Sequence, residues 1–201
     1  GWRGEPGVKD EPQHIHQGRV MNASLDSMEI PKYVLDFDEN IAIEQSNEAI
    51  QLAIKKSTPV AIIVRKNTFN KYNLQKKEVD LPLSREEAIV ASTNSISNDD
   101  VIVGTTGMPS RELFEHRSKN NLGHHRDFLT VGGMGHANQI ALGIALAIPN
   151  KKVYCFDGDG ATLMHTGSLG IIGDLKPNNY KHIIFNNGAH DSVGGQPTIG
   201  F

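Results

Sequence analysis

Apolar residues fall into short runs between polar, glycine-containing turns, and their spacing switches repeatedly between the strand and helix periods. Tyr33-Val34-Leu35-Asp36-Phe37 reads as a short strand. From about 39 to 56, Ile41, Ile43, Ala49, Ile50, Leu52, Ala53 and Ile54 stand among polar residues at helical spacing, which predicts a helix. Pro59-Val60-Ala61-Ile62-Ile63-Val64 does not alternate, as expected of a strand buried on both faces of a parallel sheet. Residues 65–80 are rich in Lys, Asn and Gln and poor in aliphatics, so a solvated connector and a domain boundary are expected. The first domain is accordingly placed at residues 1–70 and the linker at 71–83.

A second alternating series follows. Ser84 with Glu87 three positions later is a capping-box signature for a helix over 85–94. Strands are predicted at 101–103, 128–131, 152–156 and 181–185, and helices at 111–116, 136–147 and 161–175. This order predicts an α/β class: an open, mostly parallel sheet flanked by helices over residues 84–201, preceded by the C-terminal part of a second α/β domain. Gly1-Trp2-Arg3-Gly4-Glu5-Pro6-Gly7 reads as a loop leaving an upstream strand, and Gly194-Gly195-Gln196-Pro197-Thr198-Ile199-Gly200-Phe201 ends in loop chemistry. A fragment is therefore expected, with the second domain truncated at its C-terminus.

Composition narrows the function classes. Of 201 residues, 38% are hydrophobic and 21% charged, which suits a folded globular body. The net charge of -3 and the lack of a basic stripe argue against a nucleic-acid partner. The single Cys155 has no disulfide partner within the chain and sits in the apolar stretch Val153-Tyr154-Cys155-Phe156, so a buried core thiol is expected. The longest apolar run, 140–148, is well short of the roughly 20 residues that cross a bilayer. With no membrane segment or signal pattern, a cytoplasmic location is expected.

In an open parallel sheet, ligands bind outside the carboxyl ends of the strands at the topological switch point. Four glycine-containing turns follow strands here: Thr105-Thr106-Gly107, Gly132-Gly133-Met134-Gly135, Gly158-Asp159-Gly160 and Asn186-Asn187-Gly188. A dinucleotide fingerprint fails on spacing, because its third small position would be Asn138 after Gly135 or Leu163 after Gly160. The P-loop lysine signature is absent too. More specific is Gly158-Asp159-Gly160, then positions 161–185, 25 residues, then Asn186-Asn187. That gap holds a helix, a return loop and one strand, so Asp159 and Asn187 can meet at one sheet edge. A carboxylate, an amide oxygen and a nearby carbonyl suit a hard divalent cation whose other ligands are phosphate and water, as in a magnesium diphosphate site.

The motif and its gap resemble the thiamine diphosphate signature of the 2-oxo acid decarboxylase and acetolactate synthase superfamily. The resemblance implies thiamine diphosphate and Mg2+ as cofactors, with Asp159, Asn187 and the carbonyl of Ala189 as metal ligands. It places Gly158, Gly160 and Ala161 at the diphosphate, the last two through backbone amides. It also makes Met134 the apolar wedge beneath the cofactor and Gly132 the carbonyl facing its amino group. Thr106 and Ser110 fall at the diphosphate rim, although Gly107-Met108-Pro109-Ser110 departs from the Gly-Lys-Thr-Ser often found there.

Longer strings, Asn187-Gly188-Ala189-His190-Asp191-Ser192-Val193-Gly194-Gly195-Gln196-Pro197-Thr198 and Asp10-Glu11-Pro12-Gln13-His14, together with the opening seven residues, resemble the phosphonopyruvate decarboxylase family. Sulfopyruvate decarboxylases share the GGQPT ending. The resemblance implies a small anionic 2-oxo acid as substrate and, in its narrower form, decarboxylation of 3-phosphonopyruvate to phosphonoacetaldehyde in phosphonate biosynthesis. Arg3, His14 and Arg111 are the candidate substrate-binding residues, and His190 the candidate proton relay or oxyanion donor. His14-x-His16 and His124-His125 lack a third ligand at metal spacing. The resemblance further implies a homo-oligomer with the active site shared between subunits, because the activating glutamate of such enzymes comes from a neighbouring subunit and from a segment upstream of Gly1. By itself the chain is then expected to be inactive. Two alternatives remain open: decarboxylation of sulfopyruvate or another 2-oxo acid, and a non-catalytic diphosphate-binding regulatory module.

Overall fold

A computed structural model of the chain describes residues 1–73 and 81–200. The chain divides into two compact units, Gly1–Asn73 and Leu74–Phe201. The expected linker at 71–83 lies largely outside the described residues.

In the first unit a 3-10 turn, Pro12–His14, leads into α1 (Ile15–Ser27), followed by β1 (Lys32–Val34), α2 (Glu39–Lys56) and β2 (Ala61–Ile63). Helix α1 is a finding the hydrophobic pattern did not predict, because Gly18 is its one buried residue and it lacks an apolar stripe. A close backbone approach holds it instead: a Cβ on Gly18 would fall 1.9 Å from the carbonyl oxygen of Gly4. The indole Nε1 of Trp2 also donates to Gly18 O at 2.9 Å. Helix α2 begins where expected because the Asp38 carboxylate accepts from the amides of Asn40 and Ile41. Strands β1 and β2 pair in parallel, Lys32 opposite Ala61. The expectation that the second strand is buried on both faces is corrected: Ile63 is 5% exposed, but Ile62 is 41% exposed. Successive side chains take opposite faces of a strand, and among the described residues only one face is covered.

The second unit runs α3 (Arg85–Asn94), β3 (Val101–Gly104), α4 (Met108–Lys119), β4 (Asp127–Leu129), α5 (Ala137–Ala147), β5 (Val153–Gly158), α6 (Asp159–Met164), α7 (Ser168–Leu175), β6 (Tyr180–Phe185), β7 (Ala189–His190) and β8 (Gln196–Pro197). Among the described residues β3 to β6 form an all-parallel sheet in the order β4-β3-β5-β6. Adjacent residues of β3 feed opposite faces. Val103 packs with Ala141, Leu142, Ala145 and Cys155, whereas Ile102 packs with Ile89, Leu113 and Phe156. Cys155 is fully buried, and burial pushes its thiol up. Beside it on the same face, His182 Nε2 lies 3.2 Å from Asp157 Oδ2.

Local chemistry sets the helix ends. The capping box of α3 forms as expected: Ser84 Oγ accepts from the Glu87 amide and the Glu87 carboxylate accepts from the Ser84 amide. Helix α4 starts three residues before the expected Arg111, because Gly107 at φ 100° turns the chain and Pro109 suits a first helical turn. The expected single helix over 161–175 is two helices, interrupted where His165 leaves helical geometry at φ -133°, ψ 44°. Under β4 a buried ion pair joins Arg117 Nε to Asp127 Oδ2 at 2.7 Å. No described helix is long and apolar enough to cross a membrane.

Candidate functional site

The strand order places the switch point between β3 and β5, whose connections leave towards opposite sides of the sheet. A cleft of about 440 Å³, counted to its open mouth, lies over their carboxyl ends. Its floor is Thr105, Thr106, Gly158, Asp159, Gly160 and Ala161; Met134, Asn187, Ala189 and His190 stand around it. The turn after β5 and the segment after β6 therefore do converge, as the motif gap predicts.

Asp159 opens α6 and is 6% exposed; its Oδ2 accepts a hydrogen bond from the hydroxyl of Thr198. Thr198 reaches it because β7 and β8 pair as a small antiparallel ribbon, with Gly195 N donating to His190 O at 3.0 Å and Thr198 N to Gly188 O at 2.8 Å. Asn187 is fixed at both ends of its amide. Its Nδ2 donates to Asp191 Oδ2 at 2.8 Å, and its Oδ1 accepts from Ala189 N at 3.1 Å. The same Asp191 oxygen accepts from Arg85 Nη1 at 3.0 Å, while Nε and Nη2 of Arg85 grip Glu112 at 2.9–3.2 Å. These carboxylates, Glu112 foremost, raise the Arg85 guanidinium further above its ordinary value.

The glycines of the site have different physical reasons. Gly107 needs its left-handed φ of 100° to turn from β3 into α4, whereas Gly160 is required by proximity, since a Cβ there would fall 2.3 Å from His190 Nδ1. Thr105 is almost wholly buried in the cleft floor, and its Oγ1 has no hydrogen-bond partner among the described residues.

The remaining sequence candidates separate. Thr106 lines the cleft. Ser110 does not, because its hydroxyl donates to Thr105 O at 2.7 Å and so fastens the turn from beneath. Gly132 and Arg111 are both exposed and lie outside the lining. Arg3 and His14 belong to the first unit, where both engage Asp10: Arg3 through Nε and Nη2 at 2.9 and 2.7 Å, and His14 through Nδ1 at 3.0 Å. Together with backbone amides they hold the Asp10 carboxyl well below the usual carboxylate range, Arg3 foremost. His16 lies 3.2 Å from an Arg19 nitrogen, and His124 stacks on Phe114 at 4.4 Å.

Arg85, Asp191 and Thr198 were missed as site residues. Arg85 had shown only a helix-start signal. Asp191 and Thr198 lie in the distinctive string after Asn187, but their contacts depend on a ribbon that alternation does not reveal.

The donor set fits a divalent cation with a diphosphate: a buried carboxylate, an oriented amide oxygen, a backbone carbonyl, an orphaned buried hydroxyl and small residues lining the floor. Residues 103–201 match the thiamine pyrophosphate enzyme C-terminal TPP binding domain. The chain is 32% identical to a phosphonopyruvate decarboxylase of Streptomyces viridochromogenes over 98% of its own length and 52% of that protein. It is 30% identical, with the same coverage, to a phosphonopyruvate decarboxylase of Streptomyces hygroscopicus. Against the sulfopyruvate decarboxylase subunit beta of Methanocaldococcus jannaschii it is 38% identical over 57% of each chain. The chain thus spans about half the length of the curated phosphonopyruvate decarboxylases it matches. Residues 103–201 belong to the thiamine pyrophosphate enzyme family, as its C-terminal TPP binding domain.

Proposed function

We propose that the chain is part of a thiamine diphosphate- and Mg2+-dependent decarboxylase of 2-oxo acids that acts on 3-phosphonopyruvate, releasing carbon dioxide and phosphonoacetaldehyde. The observation that carries this reading is the reach of the similarity: both units align with phosphonopyruvate decarboxylases, whereas the alignment with the sulfopyruvate decarboxylase subunit covers 57% of the chain.

Bound in the cleft, thiamine diphosphate would supply the nucleophile and the electron sink that decarboxylation of a 2-oxo acid needs. The chain's own residues have separate tasks. Asp159, Asn187 and the carbonyl of Ala189 hold the cation that neutralises the diphosphate. Thr105 and Thr106 offer hydroxyls, and Gly160 and Ala161 backbone amides, to its oxygens. Met134 supplies an apolar wall. His190, which lines the cleft against Gly160, would pass a proton to the carbon that loses carbon dioxide. The shared-site homo-oligomer implied by the resemblance belongs to the same reading.

The test measures carbon dioxide and aldehyde release by the full-length protein from phosphonopyruvate, sulfopyruvate and pyruvate, with and without thiamine diphosphate and Mg2+. Cofactor-dependent turnover fastest on phosphonopyruvate is expected. Faster release from sulfopyruvate or pyruvate would replace the substrate assignment. Cofactor binding without turnover on any of the three would replace the enzyme by a regulatory module.

A further inference from the structure

We infer that Asp191 is a positioning residue for the cation: it fixes which end of the Asn187 amide faces the metal, and Arg85 fixes Asp191. The inference rests on the cofactor reading above and adds residues to it. An amide has a donor end and an acceptor end of nearly equal size, so a free asparagine can turn either towards a cation. A cation requires the oxygen, and the amino end would repel it. Here Nδ2 of Asn187 donates to Asp191 Oδ2 at 2.8 Å. Turning the amide over would set its oxygen against a carboxylate oxygen, so Asp191 rejects the wrong orientation as well as favouring the right one. The acceptor end is left with one lone pair on Ala189 N, at 3.1 Å, and one to give.

Asp191 begins a 3-10 turn directly after β7. Arg85 anchors it through Nη1 at 3.0 Å while its own position is fixed by the two-pronged grip on Glu112 of α4. The chain of contacts runs from α4 through the first residue of α3 to the amide of Asn187. All of it lies within the second unit.

Partners of this kind, one bond removed from the metal, typically change metal affinity by about 10- to 100-fold when lost. The experiment titrates Mn2+ into the full-length protein in the presence of thiamine diphosphate, reads free Mn2+ by electron paramagnetic resonance, and records the melting temperature of each variant. Asp191→Ala is expected to weaken Mn2+ by about 10- to 100-fold with little change in melting temperature. Asp191→Asn, whose side-chain oxygen can still accept from Asn187, should recover part of the loss, and Arg85→Lys should fall between Asp191→Asn and wild type. Wild-type affinity in Asp191→Ala would overturn the inference and leave the cofactor reading standing. Equal losses in Asp191→Ala and Asp191→Asn, matched by equal drops in melting temperature, would also overturn it. Failure of the wild type to bind Mn2+ with thiamine diphosphate would overturn both.

Discussion

Gly160 and His190 meet so closely that a Cβ on Gly160 would fall 2.3 Å from the imidazole Nδ1. The atom encountered belongs to a ring, which has no flexible end to yield. Gly160→Ala should therefore push His190 out of the cleft wall and crowd the start of α6. Thiamine diphosphate affinity is expected to fall at least about tenfold, close to 1.4 kcal/mol, by calorimetric titration of the full-length protein. Unchanged affinity would mean that the ring moves aside freely.

Asp159→Ala removes the only buried carboxylate of the cleft floor among the described residues. With cofactor and Mg2+ at about 100 times the dissociation constant, ligand binding should stabilise the wild type by about 2.7 kcal/mol. In the variant that gain should nearly vanish. Thermal melts with and without both ligands measure the difference, and a retained gain would relocate the metal site.

The ion pair beneath β4 links stability to pH. The side chains of Asp127 and Arg117 are 1% and 5% exposed. Burial pushes the Asp127 carboxyl up, while Arg117 and, at 3.7 Å, His124 pull it back. Arg117→Met removes the larger of these opposing influences and leaves a buried carboxylate without its closest cation, at a cost of about 3–5 kcal/mol near neutral pH. A carboxyl raised in the folded state binds its proton more readily there than in the unfolded chain, so the penalty is present above its folded pKa and shrinks as pH falls. Melts from about pH 7 down to about pH 5 should show the gap to wild type narrowing. A gap that widens would contradict the assignment.

Burial pushes the Cys155 thiol up, and it has no exposed surface. A thiol reagent at neutral pH should leave the native protein unlabelled and react after denaturation. Labelling of the native protein at the rate of a free thiol would show that the sheet face beneath α5 opens readily.

The second unit was legible wherever one local rule decided the outcome. Ser84 and Glu87 reveal their capping box in the sequence, and the span from Asp159 to Asn187 counts out one helix and one strand. Helix α1 was not legible, because glycine contact and an indole hydrogen bond hold it where hydrophobic spacing gives no signal. The break at His165 was hidden because apolar residues continue through it. The guanidinium beside the cleft is hidden from the sequence for a related reason. Arg111 looks rim-facing when α4 is read as starting there, but the helix starts at Met108 and Arg111 is exposed outside the cleft, whereas Arg85 enters from a helix distant in sequence. Arg3 and His14 look like free donors until Asp10, itself between them in sequence, is seen to engage both.

The strand order β4-β3-β5-β6 also fixes how the cleft should loosen over time. Its floor hangs from β3 and β5, each hydrogen-bonded on both sides, whereas the segment carrying Asn187, Asp191 and Thr198 follows β6, an outer strand among the described residues. Backbone amides of Val103, Cys155 and Phe156 should exchange with solvent deuterium through the rarest openings, and those of residues 188–198 through frequent ones. The cleft then combines a slowly exchanging base with a quickly exchanging wall. Cation and diphosphate, gripping both, should slow the wall's exchange far more than the base's.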